Sequence, residues 1–290
     1  PRVHCALEVS NLWPLYRHQV DAINLLNNGH NVIVTTSAAS GKSLCYQVPV
    51  LNSLVEDGHS RALYLFPTKA LAQDQLKRFN LLQQAVMDQR NSGRFNIHAG
   101  IFDGDTPRND RYSIRRTAQV LITNPDMLHL GILPRHREWS RLFRELRYVV
   151  LDEAHVYRGV FGSHVGLLFR RLRRICDFYG SDPQVIMCSA TVANPAELAK
   201  DLSGLKFEVV DGDGAPYGGK QFAFWNPAIV EHSKEKRRST NIEAAKIFAK
   251  LVANKVRTIT FVRSRKVAEL VNLYAQKQLA RATPSLRDRI

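Results

Sequence analysis

The chain has 290 residues, of which 44% are apolar, enough to bury a sizeable core as one large domain or slightly more. Its 41 Lys and Arg outnumber 26 Asp and Glu, for a net charge of +15, which favours an anionic partner; nucleic acid is the natural candidate, although an anionic membrane surface would also fit. No run of 18 apolar residues and no charged-then-apolar leader occurs in this sequence, so a soluble intracellular protein is expected, nuclear in a eukaryote or cytoplasmic in a bacterium.

In chain order, the first strand is expected over residues 31–36. A turn then holds Ala38, Ala39, Ser40, Gly41, Lys42 and Ser43, and a helix starts at Leu44. A strand feeding such a turn into a helix start can seat phosphates. Backbone N–H groups and the helix dipole face them, Lys42 reaches the terminal ones, and the Ser43 hydroxyl can ligate Mg²⁺. Thr36 stands where the first Gly of G-x-x-x-x-G-K-[ST] belongs, so the loop by itself is a partial match. Strands follow at 61–66, 96–102, 120–123 and 148–151, with a helix from Lys69 to about residue 85.

Asp152 and Glu153 close the strand at 148–151, and the carboxyl edge of a parallel sheet is where ligands bind. Asp152 takes the metal role and Glu153 the role of base toward an attacking water. His155 is expected to hydrogen-bond toward the glutamine motif or the Ser189-Ala190-Thr191 segment rather than to transfer a proton. A cap or a solvated acidic turn would explain either segment alone. Together, each ending a strand, they point to a nucleoside-triphosphate motor. Ser189-Ala190-Thr191 closes the next strand, 184–188, where its two hydroxyls could bond the acidic motif and couple it to a second site.

Between these motifs, residues 162–178 read as a helix with Leu167, Leu168, Leu172 and Ile175 inward. Its arginines 170, 171, 173 and 174 are either solvated or in contact with phosphates or an accessory domain. Phe161 to His164 reads as a loop near the cleft. Trp13, Trp139 and Trp225 read as packing residues. The four cysteines form no C-x-x-C pair, so neither a disulfide framework nor a zinc site can be argued. A strand at 207–210 and an edge strand at 221–226 lead to a basic stretch, 233–240, that reads as a linker. A helix at 241–253, a strand at 258–262 and a helix from 266 to about 279 follow. Alternating strands and helices argue for an α/β fold with a parallel sheet flanked by helices, in domains 1–232 and 241–290.

The three motifs resemble those of superfamily 2 helicases of the DEAH type. Leu15-Tyr16-Arg17-His18-Gln19 is similar to the family's adenine motif, in which Gln19 would read the adenine edge through both ends of its amide, with Tyr16 or Arg17 packed nearby. The run from Phe66 to Gln75 resembles the motif that grips a nucleic-acid backbone. Phe102-Asp103-Gly104-Asp105-Thr106 and Thr123-Asn124-Pro125-Asp126-Met127-Leu128 resemble two more. Thr258 to Arg265 resembles the first strand motif of a second motor lobe. The run Tyr157 to Val165, with Asn124 to His129 and the arginine helix, is similar to the RecQ-related Hrq/MrfA group of DNA-repair helicases.

The resemblance implies a RecA-like P-loop NTPase lobe with the start of a second, incomplete RecA-like lobe. It also implies ATP with Mg²⁺ and a 3′-to-5′ DNA helicase acting in repair on single-stranded or partly duplex DNA. Thr68, Lys69, Gly104, Asp105 and Thr123 would touch the backbone, giving sequence-tolerant, salt-dependent binding. Ser189 and Thr191 would carry coupling. An RNA helicase is the alternative, since backbone motifs do not declare the sugar. A nucleotide-gated binding module with little turnover is another, because about fifty residues fall short of a lobe of ~150. Protein partners are not specified by any of these residues.

Overall fold

The computed structural model describes residues 1–88, 97–216, 218–219, 221–229 and 237–282. The chain divides into two units, Pro1–Tyr217 and Gly218–Ile290.

In the first unit, short β-rich apolar runs form strands β1 (Val32–Val34), β2 (Arg61–Leu65), β3 (Ala99–Ile101), β4 (Val120–Thr123), β5 (Leu146–Leu151), β6 (Gln184–Cys188) and β7 (Glu208–Val210). They make one parallel sheet in the order β3-β4-β2-β5-β6-β1-β7. Side chains alternate across it, as a period of two requires. Val32 and Val34 face one core while Ile33 faces the other; Ala62 and Tyr64 oppose Leu63 and Leu65. Burial on both faces is why these strands read as continuous apolar runs.

Helices α1 (Arg2–Val9), α2 (Arg17–Asn27), α3 (Ser43–Glu56) and α4 (Lys69–Asp88) cover the first face, contributing Leu7, Leu26, Tyr46, Leu51 and Phe79. α5 is Arg108–Thr117 and α6 the single turn Pro125–Met127, begun by the Asn124 side chain accepting from the Met127 N–H at 2.8 Å. Wide and then tight helical turns over Leu128–Trp139 lead to α7 (Ser140–Arg144), α8 (Gly159–Tyr179) and α9 (Pro195–Ser203). Leu128, Trp139, Phe143, Phe169 and Leu172 build the second core here. α8 ends at Gly180, in the left-handed conformation with φ of 75°.

In the second unit α10 (Thr240–Ala253) packs against α11 (Arg265–Ala282), burying Ala245, Ala249, Val271, Ala275 and Leu279. The strand expected at 258–262 is not formed, and Ile259 and Phe261 are exposed. A strand exists only through a neighbour's ladder, and among the described residues of this unit no second strand supplies one. For the same reason the expected edge strand at 221–226 is open chain, with Phe222 and Phe224 exposed; nearby, Ile229 and Arg237 make one antiparallel bridge. Lys234 and Lys236 of the expected linker, and Asn96 of the expected third strand, lie outside the described residues. No helix among the described residues is long and apolar enough to cross a membrane.

Candidate functional site

Because every strand of the sheet is parallel, the segments leaving β1, β5 and β6 emerge at one edge, and these three strands are neighbours. The loop after β1 is braced from within. The Thr36 and Ser40 hydroxyls lie 2.6 Å apart, and Lys42 Nζ donates to the carbonyls of Thr36 at 2.9 Å and Ser37 at 2.6 Å. Ala39 and Gly41 both have positive φ, 62° and 81°. No backbone carbonyl takes up the N–H groups of Ala38, Ala39, Ser40, Gly41 and Lys42 among the described residues. Free donors at the start of a 14-residue helix suit a polyphosphate.

Gln19 is 1% exposed and sits behind this loop. Its Oε1 accepts from the Tyr16 N–H at 2.8 Å and its Nε2 donates to the Gly41 carbonyl at 2.9 Å. Each end of the amide therefore has one protein partner, leaving one N–H and one lone pair for a base. Tyr16 is partly exposed, and Arg17 reaches into solvent with a weak Asp21 contact at 3.7 Å. His18 is buried; its Nδ1 accepts from the Gly214 N–H at 3.2 Å, and burial pulls its pKa down.

At the end of β5, Asp152 is almost fully buried. Its Oδ1 accepts from the Glu153 N–H at 2.8 Å and its Oδ2 from the Tyr46 hydroxyl at 3.2 Å. Desolvation, followed by the Glu153 charge, pushes its pKa up to about 6, against the pull of those two hydrogen bonds and of Lys42. A buried carboxylate held at this strain is a natural site for a divalent cation, which would supply the missing positive charge. Ser43, partly buried at the start of α3, is the second oxygen ligand available there. Glu153 adopts the left-handed conformation with φ of 53°, which costs an L-residue roughly 1–2 kcal/mol.

The expected hydroxyl link between the acidic motif and the third segment is not what forms. Ser189 is fully buried, with no partner for its hydroxyl among the described residues, and Thr191 is exposed. The link runs through His155, as expected of that residue, but to a backbone donor: the Ala190 N–H donates to His155 Nδ1 at 3.2 Å, while the same nitrogen lies 3.3 Å from Glu153 Oε2. A lone pair at Nδ1 accepts from Ala190, whereas a proton there would be donated to Glu153. The two contacts are alternatives, so the imidazole serves one motif or the other.

Beyond β7, Asp213 accepts from the Ser37 N–H at 3.2 Å and from the Ser37 hydroxyl, which holds its carboxyl below the usual range. A cavity of about 410 Å³ opens beside it, lined by Thr36, Ser37, Thr191 and Asp211.

The segments leaving β2, β4 and β3 share the other half of the edge. Thr68 Oγ1 accepts from the Leu71 N–H at 3.3 Å and so begins α4. Lys69 and Asp105, both expected backbone contacts, pair with each other at 2.5 Å. The Asp105 N–H is committed to Asp103 Oδ1 at 2.9 Å, and Gly104 beside it is exposed. Thr123 is corrected: it is 2% exposed, and its hydroxyl donates to the Phe102 carbonyl at 2.6 Å, so it ties β4 to β3 and offers no hydroxyl to a polymer.

Phe161 to His164 is not a loop but the first turn of α8. On that helix Leu168 and Leu172 point inward as expected and Ile175 is partly buried, whereas Leu167 is 59% exposed. Arg170, Arg171, Arg173 and Arg174 line a cavity of about 920 Å³ with Pro125 and His129, next to the motif that follows β4. Of the tryptophans Trp139 is buried, against Phe102, while Trp13 and Trp225 are exposed. Sequence reading missed Tyr46 and Asp213, and gave Gln75 only as the end of the Phe66–Gln75 motif, without its contact to Tyr46. The signal for the first was its place one turn after Ser43.

Residues 16–198 match the DEAD/DEAH box helicase family. The chain is 45% identical over 288 residues to the uncharacterized ATP-dependent helicase YprA of Bacillus subtilis, covering 99% of this chain and 38% of YprA. It is 44% identical to the ATP-dependent helicase HRQ1 of Saccharomyces cerevisiae, covering 93% of this chain and 25% of that protein. The crystal structure of the DUF1998 helicase MrfA bound to DNA and AMPPNP superposes with a TM-score of 0.90 at 45% identity, over 97% of this chain and 38% of MrfA. The chain thus spans well under half the length of these relatives, and its first unit has the RecA-like α/β fold that the sequence resemblance implied.

Proposed function

Because the chain belongs to the DEAD/DEAH box helicase family, we propose that it is the ATP-binding part of a DNA helicase that couples ATP hydrolysis to translocation on single-stranded DNA. The observation that carries this reading is the division of one sheet edge. Strands β5, β6 and β1 present the phosphate loop, the acidic motif and the third segment, and strands β3, β4 and β2 present the backbone motifs. The acidic strand β5 and the first backbone strand β2 are paired at the boundary, Leu65 beside Leu151. A motor needs nucleotide and track within reach of one rigid element, and this sheet supplies it.

In this reading Lys42 and the loop N–H groups would hold the phosphates, and Ser43 and Asp152 would hold Mg²⁺. Bound there, Mg²⁺ neutralises phosphate charge. Glu153 Oε2 takes the proton of the attacking water. Gln19 offers its remaining N–H and lone pair to the adenine edge. Lys69, Gly104 and the arginines of α8 offer charge and N–H groups to the DNA backbone. We read a first lobe within residues 1–232, its compact unit closing at Tyr217, then a linker at 233–240 and the start of a second RecA-like lobe within 241–290. The 3′-to-5′ polarity and the repair role rest on resemblance to the Hrq/MrfA group. The protein acts inside the cell, in nucleus or cytoplasm according to its host.

The test is ATPase of this chain and of the full-length protein that carries it, with no polymer, with single-stranded DNA and with RNA. DNA stimulation that Lys42→Ala abolishes is expected. Stimulation by RNA alone would move the substrate to RNA. Nucleotide-dependent DNA binding without turnover in the full-length protein would make it a gated binding module.

A further inference from the structure

Tyr46 is fully buried, and its ring is fixed edge-on to Tyr64 with centroids 5.2 Å apart. Its hydroxyl lies 3.2 Å from Asp152 Oδ2 and 3.2 Å from Gln75 Oε1. A phenol has one O–H proton, so it serves one of these acceptors at a time. The acceptors sit on different elements: Asp152 ends β5, and Gln75 lies on α4, less than two turns past Lys69. Gln47 Nε2, 3.4 Å from Gln75 Oε1, supplies that oxygen with a weaker donor when the phenol turns away.

We propose that the Tyr46 hydroxyl is a two-position link between the metal-side carboxylate Asp152 and helix α4, and so between nucleotide state and the nucleic-acid grip at the first turn of α4. It rests on the functional reading above. With only protein donors around it, the Asp152 carboxylate is the stronger acceptor, because hydrogen bonds to charged groups are roughly twice as strong as neutral ones. When positive charge is held at Asp152, its Oδ2 becomes a poorer acceptor and the proton turns to Gln75, tying α4 to α3. By linkage, whatever fixes α4 in that arrangement frees Oδ2 for the cation to the same degree. Tyr46 acts through Asp152 and Gln75 and is a positioning residue.

The test is the factor by which Mg²⁺ with AMPPNP changes the affinity of the full-length protein for a fluorescein-labelled oligo-dT strand, read by anisotropy. A ratio of two affinities is insensitive to damage that scales both. The wild type should show a clear factor, Tyr46→Phe and Gln75→Met should each bring it several-fold closer to one, and the double variant should lose no more than either alone, since both break one link. Losses that multiply in the double variant, or an unchanged factor in Gln75→Met, would overturn the link. Gln75→Met carries the test should Tyr46→Phe fail to fold. A wild type that binds no DNA or shows no factor would overturn the functional reading and the link with it. A coupled wild type with equally coupled variants would overturn the link alone.

Discussion

Gly41 and Gln19 are interlocked: the Gln19 amide donates to the Gly41 carbonyl at 2.9 Å, and a Cβ at position 41 would stand 2.6 Å from that same nitrogen. Gly41 also has φ of 81°, a conformation that costs an L-side chain roughly 1–2 kcal/mol. Sequence pattern demands glycine here, and the structure supplies two separate reasons for it.

Gly41→Ala should therefore lose nucleotide affinity by at least about tenfold and lower stability by roughly 2 kcal/mol or more, because strain and the displaced Gln19 amide add. Nucleotide titration and thermal unfolding of the variant check both. Gln19→Ala with Gly41→Ala should recover part of the stability, since the clash is then gone. Additive losses in the double variant would show that the two residues do not interact.

The thiols give an independent check on the first unit. Cys5 is exposed, while Cys45, Cys176 and Cys188 are buried. Burial pushes Cys45 up to about 12 and Cys176 up to about 11 and raises Cys188 well above its ordinary value. The thiolate is the reactive form, so iodoacetamide at about pH 8 should modify the native chain once, at Cys5, and every cysteine after denaturation. Rapid native labelling of Cys45 or Cys188 would mean that the sheet edge is open where the structure packs it.

What was legible in the sequence was whatever depends on neighbours along the chain. The expected bounds of β4 and β6 agree with the structure because both are nearly continuous apolar runs that the sheet buries. β1 is shorter than expected, although Asn31 and Thr35 at its ends still bond the neighbouring strands β6 and β7. The strand at 258–262 failed because its composition could not reveal whether a partner strand lies beside it. The same limit hid the site's wiring. Tyr46 meets Asp152 across 106 residues, and Thr123 loses its hydroxyl to Phe102 across 21. The link from the acidic motif to the third segment uses the N–H of Ala190, a donor that every residue but proline carries and no motif can single out.

Separating Glu153 from its neighbour gives the third prediction. Glu153→Gln keeps shape and removes the base, so Mg²⁺-dependent nucleotide affinity should stay within about threefold while turnover falls at least about 100-fold. The new amide can donate to His155 Nδ1, which should weaken the Ala190 contact and speed hydrogen exchange at that N–H. Equal loss of binding in this variant and in Asp152→Asn would collapse the division of roles between the two carboxylates.

Asp152→Asn should make the protein more stable while making it a poorer nucleotide binder. The folded-state pKa of Asp152 is raised from 3.8 to about 6, chiefly by desolvation, so the folded protein carries a charge that the unfolded chain hydrates better. Above about pH 6 the residue is ionised in both states and the penalty is complete, roughly 3 kcal/mol from a shift of this size. Between about pH 6 and pH 4 the folded form takes up the proton first, and the penalty shrinks as pH falls. Below about pH 4 both states are neutral and nothing is left. The asparagine is neutral throughout, its oxygen can still accept from the Glu153 N–H, and its amide can still meet the Tyr46 oxygen. Thermal unfolding in EDTA should thus show the variant ahead of wild type near pH 7.5, with the gap closing toward pH 4. With saturating Mg²⁺ and nucleotide the order should reverse, because only the wild type gains the full binding energy. A variant less stable than wild type in EDTA at neutral pH, or a gap that does not change with pH, would mean that the Asp152 carboxylate is better solvated than its burial indicates.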